Sequence, residues 1–282
     1  MKRVLVTGAS GFIGSHLIAG LREKKCEIVV LERGAFSSSS LAQSVSGFDA
    51  IYHLAGICDS KSPNLFEVNV INTFRLFQAV VKNPTPWPVC VFVSSFAVYR
   101  PPQKGEVVTE KHPLDPGNDY GVSKLIAEQM LHGFADMGLR TSILRLSNVY
   151  GDGIPPLKHS VVATFMSKIV SGEEIGITGD GLQTRDFVFI DDVVNALIMA
   201  GERAPKRMDT INICSGEETQ LIKMVRELEN VTGLKAKINL TSGDTSSGNY
   251  WKGDYHKAQK ILNWSPKFTL RRGLQELWRR GK

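Results

Sequence analysis

Val4-Leu-Val-Thr-Gly8-Ala-Ser-Gly11-Phe-Ile-Gly14 stands at the start of the chain. Residues 2–7 are a continuous run suited to a parallel strand buried on both faces. Three glycines follow at once, and residues 15–25 then carry Leu17, Ile18 and Leu21 on one helical face. Strand, glycine turn and helix in that order use the glycines for a tight turn, for backbone approach to a pyrophosphate, and for close packing of helix on sheet. The helix N-terminus then faces the phosphates with free N–H groups and the positive end of its dipole.

Outward from this turn, residues 27–31 read as a second strand that ends at Glu32, about 20 residues past the glycines. A carboxylate there binds the ribose hydroxyls and repels a 2′-phosphate, so NAD is expected rather than NADP. Arg33, next door, is either a surface charge or an acceptor of that phosphate. A short helix ends at 45–46 and a strand covers 49–55. Residues 64–81 carry Phe66, Val70, Phe74, Phe77 and Val81 at helical spacing, and Pro84-Thr-Pro86-Trp-Pro88 breaks them off. A strand at 89–94, a helix at 120–137 and a strand at 139–146 follow. This alternation predicts an α/β protein, with a Rossmann-type doubly wound parallel sheet over residues 1–150. After Gly151 the pattern loosens. Helices are expected at 161–170, 219–232 and 256–262, a strand and turn at 173–181, and a strand followed by a helix at 187–200. A Gly/Ser-rich turn covers 241–248. Residues 151–282 are expected to form a smaller C-terminal α/β substrate lobe, with 186–203 returning to the first domain.

The 282 residues are 42% hydrophobic and 22% charged, an ordinary soluble composition. No apolar run reaches the ~18 residues of a membrane helix. The strand that follows Met-Lys-Arg takes the place of a signal peptide, so a cytoplasmic protein with no membrane partner is expected. Cys26, Cys58, Cys90 and Cys214 show no Cys-x-x-Cys spacing. No metal site is expected, and each cysteine reads as a small buried apolar residue. Much of the net charge of +6 sits in Arg271-Arg272 and Arg279-Arg280-Gly-Lys282, a solvated helix face and tail. A phosphate-bearing small substrate is therefore favoured over nucleic acid.

Tyr120 and Lys124 stand four residues apart in Asp119-Tyr-Gly-Val-Ser-Lys124, so a helix puts them on one face. A tyrosine titrates near ~10 in water, and an ammonium under its ring lowers that value. Such a tyrosine can take the proton from a sugar or alcohol hydroxyl as hydride leaves the carbon.

With these segments in order, the chain resembles an extended short-chain dehydrogenase/reductase of the NAD-dependent epimerase/dehydratase family over almost its whole length. Asp49-Ala-Ile-Tyr-His53-Leu-Ala-Gly56 resembles the strand against the cofactor. Asn69-Val-Ile-Asn-Thr73 resembles its Asn-Val-x-Gly-Thr segment, with Asn72 where glycine is usual. Phe92-Val-Ser-Ser95-Phe-Ala-Val-Tyr99 resembles the strand of the catalytic hydroxyl. Arg145-Leu-Ser-Asn148-Val-Tyr-Gly151 and Gly179-Asp-Gly-x-Gln183-x-Arg185-Asp-Phe also match. The resemblance implies Tyr120 as acid/base, Lys124 lowering its pKa and binding the nicotinamide ribose, and Ser95 on the reacting oxygen, with Ser94 its competitor. It implies a cofactor site built from Gly8, Gly11, Phe12, Ile13, Gly14, Glu32, Arg33, Leu54, Ala55, Gly56, Asn69, Ser94, Tyr120 and Lys124. Asn148 and Arg185 would hold the substrate diphosphate, a task suited to the guanidinium fork. The alternative for Arg185 is a salt bridge to Asp186 or Asp191. His53 is implied as a structural or cofactor-side residue. A homodimer through helices 64–81 and 120–137 is also implied.

Two stretches depart from the family pattern. About sixteen residues separate Glu32 from Asp49, too few for the usual extra strand and its adenine contact. An absent edge strand and a more loosely held adenine are expected. Gly243-Asp244 resembles the end of an Arg-x-Gly-Asp segment, but Thr241 stands at the arginine position. Phe96 and Ala97 follow Ser95 where the dehydratases carry Asp-Glu, and the decarboxylases' glutamate is also absent. The resemblance therefore implies a nucleotide-sugar 4-epimerase. Tyr120 takes the hydroxyl proton, NAD accepts the hydride, the 4-keto sugar rotates, and the hydride returns to its other face. A 4-keto reductase or dehydrogenase is the alternative. A non-catalytic NAD-binding scaffold is the reading from another class.

Overall fold

The computed structural model describes residues 1–152, 160–203, 205–242 and 250–281. Strands β1 (Arg3–Thr7), β2 (Glu27–Leu31), β3 (Ala50–His53), β4 (Val89–Ser95) and β5 (Thr141–Leu146) join the strand Met208–Ile213 in one sheet. Its order is (Met208–Ile213)-β5-β4-β3-β1-β2, and every pairing is parallel.

Alternation along the strands explains the two covered faces. Val4, Val6, Tyr52, Val91 and Leu144 point to one side, where Leu17 and Leu21 of the helix Phe12–Glu23 and Val193 and Leu197 of Ile190–Glu202 meet them. Leu5, Ile51, Phe92 and Ile143 point to the other, against Phe77 of the helix Asn72–Val81 and Leu131 and Phe134 of Asp119–Asp136. Each such Val, Leu or Phe contributes about 1.5–3 kcal/mol over an exposed position.

β1 pairs with β2 on one side and β3 on the other, so the chain reverses direction across the sheet at the end of β1. Ligands of open α/β sheets sit at such switch points. Between Glu32 and Asp49 the backbone makes only the turn Arg33–Ser37 and the helical turn Leu41–Ser44, so β2 is the sheet edge. The strand expected to be absent is absent. β3 ends at His53 rather than at 55, because Ala55 peels away to donate its N–H to the Thr7 hydroxyl (3.1 Å).

Met208–Ile213 is a strand that no continuous apolar run marks, because polar residues, Asn212 among them, interrupt it. Asn212 is fully buried, accepting from the Tyr99 hydroxyl at 2.6 Å and donating to the Val108 carbonyl at 2.9 Å. The 64–81 stripe also fails to face inward throughout. A π-turn at Glu67–Ile71 rotates the two halves of that helix relative to each other. Val70 and Phe77 are buried, whereas Phe66 and Phe74 are exposed at 42% and 39%.

The C-terminal part has its own core, in which Phe165, Ile177, Phe187, Met224 and Leu274 meet. It includes the helices Val161–Ser171, Leu221–Thr232 and Leu270–Arg280. Gly243-Asp244 lies outside the described residues. No helix among the described residues is long and apolar enough to cross a membrane.

Candidate active site

The glycine turn leaves no room for side chains. Gly11 donates to the Gly8 carbonyl (3.0 Å), and the helix begins at Phe12. A Cβ at Gly14 would stand 2.1 Å from the Gly8 oxygen. One at Gly8, whose φ is +70°, would stand 2.6 Å from the Ala55 nitrogen. Turn, helix start and the Leu54–Gly56 loop thus meet at backbone distance. Glu32 and Arg33, just beyond β2, are both exposed.

The helix Asp119–Asp136 is started by Asn118, whose side chain accepts from Gly121 N–H at 2.9 Å. Gly121 lies against the Ala97 carbonyl, which fixes the helix start on the turn after β4. Tyr120, Ser95 and Cys58 line one cavity together. Ser94 instead donates to Glu128, which separates the two competing serines. Lys124 donates to the Val93 carbonyl at 2.9 Å and lies over the Phe92 ring at 4.9 Å.

The Lys124 ammonium lies over the Phe92 ring and not, as expected, under that of Tyr120. One helical turn deeper, the ammonium meets the Val93 carbonyl as its acceptor. Burial pulls Lys124 down to about 8, opposed by the charges of Cys58 and Glu128. Instead of the lowering expected from Lys124, burial raises the Tyr120 phenol above its ordinary value, Cys58 adds to that, and Ser95 opposes it.

His53 is buried and held by two hydroxyls. Thr73 spends its proton on the Asn69 carbonyl (2.8 Å), so its oxygen accepts from His53 Nε2 (2.8 Å). Thr7 then donates to Nδ1 (2.7 Å). Burial, and after it the Lys124 charge, pushes His53 down to about 3, so the ring stays neutral. Asn69 holds both backbone groups of Ile57 (2.8 and 2.9 Å) and donates to Ser123 (2.9 Å). The side chain thereby ties the loop after β3 to the helix of Tyr120.

Two cavities meet at Ser95 and Tyr120. One, of about 330 Å³, is lined by Phe12, Ile13, Leu54, Gly56, Cys58 and Lys124 among others. The other, of about 430 Å³, is lined by Phe96, Ser147, Asn148, Arg185 and Trp251 among others. Burial lowers the Arg185 guanidinium pKa. Arg185 donates to the Thr184 carbonyl at 2.7 Å. Asp191 pairs with Arg280 (2.6 Å), and Asp186 accepts from Ser147, Ser215, Gly216 and Gly253.

Three residues of this site escaped the sequence reading. Cys58 is not the buried apolar residue that its spacing suggests. It is exposed and shares a cavity with Tyr120, and its only signal is its place just after Gly56 at the switch point. Cys26 is half-buried, and only Cys90 and Cys214 are buried as expected. Trp251 and Phe96 wall the second cavity with ring centroids 6.2 Å apart. Trp251 arrives from distant sequence, because Val108 N–H bonds the Lys252 carbonyl at 2.8 Å, and nothing local marks it. No group of His, Cys, Asp and Glu suited to a metal occurs among the described residues.

The model of the NAD dependent epimerase/dehydratase family matches residues 4–214, and the chain belongs to that family. It is 29% identical to the uncharacterized UDP-glucose epimerase YtcB of Bacillus subtilis over 96% of this chain and 95% of that protein. Its fold is similar to that of MoeE5 in complex with UDP-glucuronic acid and NAD. The TM-score is 0.88 at 30% identity, over 99% of this chain and 100% of the other. It is also similar to the UDP-glucose 4-epimerase of Thermotoga maritima with UDP-glucose, at a TM-score of 0.89 and 27% identity, over 99% of each chain.

Proposed function

We propose that this chain is an NAD-dependent nucleotide-sugar 4-epimerase. The observation that carries the reading is the meeting of two cavities at one Ser95–Tyr120 pair, with Lys124 on the floor of the first. The residues present fit a dinucleotide. The turn is stripped of side chains where a Cβ would fill it, and the start of the helix Phe12–Glu23 is free to face phosphates. Gly8, Gly11 and Gly14 would hold the pyrophosphate, Glu32 the adenosine ribose, and Lys124 the nicotinamide ribose. NAD, when bound, supplies the hydride acceptor and donor. Gly14→Ala is expected to cost about 1–3 kcal/mol of stability and to weaken NADH binding at least about tenfold. Calorimetry and NADH fluorescence titration check this, and parental values in both would show that the turn tolerates a side chain.

Tyr120 removes the proton from the sugar hydroxyl and later returns it. Ser95 hydrogen-bonds the same oxygen and sets its distance from the phenol. Arg185 and Asn148, at the outer cavity, hold the diphosphate, which leaves the sugar between them and Tyr120. Phe96 and Trp251 supply an apolar wall against which the keto sugar can turn. No acidic side chain lies directly after Ser95 to expel water or assist decarboxylation, so the reaction ends in inversion.

The test is mass spectrometry of UDP-, GDP-, dTDP- and CDP-hexoses and their 4-keto forms after incubation with the protein, with and without added NAD(H) or NADP(H). A product of unchanged mass, formed without added cofactor, is expected. A product differing by two hydrogens, formed only with added cofactor, would mean a reductase or dehydrogenase. No turnover of any sugar would favour the scaffold reading. We also place the protein in the cytoplasm, in keeping with its four free cysteines. We pair two copies through the helices that expose Phe66, Ile71, Phe74 and Ile126. A monomer in sedimentation at micromolar concentration would remove the pairing.

A further inference from the structure

The helix Asp119–Asp136 sets three ionisable side chains on one face at i, i+4 and i+8: Tyr120, Lys124 and Glu128. The first two have chemistry to do. Glu128 is 1% exposed and meets Arg145 of β5, itself 5% exposed. Arg145 grips both carboxylate oxygens, Nε to Oε1 at 3.0 Å and Nη2 to Oε2 at 2.6 Å, and the Ser94 hydroxyl adds a further hydrogen bond. Behind them the guanidinium lies over the Tyr99 ring at 4.8 Å. A buried ion pair is a poor way to gain stability, since well-packed apolar side chains do as well or better. Its position offers another reason.

Consecutive residues of β4 receive this face. Val93 takes the Lys124 ammonium, Ser94 takes Glu128, and Ser95 shares its cavity walls with Tyr120. Lys124, at 4% exposure, has almost no water to hold its charge. Cys58 faces it from the loop after β3, the neutral His53 from β3, and the Phe92 ring and Val93 carbonyl from β4. Tyr120 and Glu128 flank it on its own helix, with Arg145 behind Glu128. Among these, Glu128 is the carboxylate whose charge favours the ammonium.

We propose that the Glu128–Arg145 pair is a positioning element of the active site, whose negative end holds Lys124 as an ammonium and whose positive end limits that hold. The inference rests on the role given to Lys124 above. It predicts that removing the two charges separately shifts the lysine in opposite directions. Damage to packing would not do that. Removal of the carboxylate leaves Arg145 as an uncompensated cation, and removal of the guanidinium leaves Glu128 as an uncompensated anion.

The experiment follows Lys124 itself by NMR of protein grown on isotope-labelled lysine, with its signal identified by its loss in Lys124→Arg. Glu128→Gln is expected to lower the titration midpoint of Lys124 by about one pH unit, and Arg145→Gln to raise it by a clearly smaller amount. The high-pH limb of turnover should move with each midpoint. Midpoints that stay in place, or that move in the same direction, overturn the proposal. If either single variant does not fold, the double variant Glu128→Gln/Arg145→Gln keeps the site neutral. Its midpoint should fall below that of the parent, because Glu128 is the nearer charge, and an unmoved midpoint again overturns the proposal. The readout is the amine and not the reaction. Absence of turnover on every nucleotide sugar would therefore count against the proposed function and leave this result standing.

Discussion

A Tyr120→Phe variant is expected to fold as the parent does and to lose turnover by about 10²–10⁴-fold. The change removes one hydroxyl from a half-buried ring and leaves the helix Asp119–Asp136, its Asn118 cap and the Lys124–Val93 bond intact. NADH binding should stay at the parental level, which separates a chemical loss from a collapsed site. Burial and Cys58 hold the phenol high, whereas Ser95 favours its ionised form. Ser95→Ala should therefore reduce turnover in the same direction. Rates measured with the nucleotide sugar that the mass-spectrometric panel identifies would check both. Unchanged turnover in Tyr120→Phe would take Tyr120 out of the mechanism.

Asp186→Ala carries the largest expected effect on stability, a loss of at least about 3 kcal/mol in chemical denaturation. Asp186 is 0% exposed. Its carboxylate accepts from the Ser147 hydroxyl (3.0 Å), Ser215 N–H (2.7 Å) and hydroxyl (2.9 Å), Gly216 N–H (2.9 Å) and Gly253 N–H (3.0 Å). Alanine would leave all of these donors without that acceptor, and an unsatisfied buried donor costs about 1–3 kcal/mol. Asp186→Asn should fall between, because an amide has one acceptor oxygen and turns an NH₂ group toward the remaining N–H donors. Gly253 is two residues from Trp251 and Asp186 adjoins Arg185, so substrate affinity should fall together with stability. A loss within about 0.5 kcal/mol would show that relaxation or water satisfies the donors.

Much of this protein is set by local rules that one sequence carries. The run to Thr7, the three glycines and the alternation of apolar strands with helices determine a doubly wound parallel sheet, because each element must bury a face and the crossovers place helices on both sides. The short interval from Glu32 to Asp49 determines that the edge strand is missing, since no strand and return fit there. Tyr120 and Lys124 share a helical face by the geometry of the helix alone. Tertiary structure decides what depends on residues far apart in the chain. It alone shows that Lys124 reaches the Val93 carbonyl, that Cys58 is exposed and shares a cavity with Tyr120, and that Ser94 turns to Glu128 while Ser95 lines the cavity of the phenol. It decides that Asn212 can sit inside a strand, because Tyr99 and Val108 satisfy its amide, and that a π-turn faces Phe66 and Phe74 outward. The physical reason is the same in each case. Whether a polar group is satisfied and whether a charge is stabilised depend on partners that only packing brings within hydrogen-bonding distance, whereas periodicity and turn geometry act between neighbours along the chain.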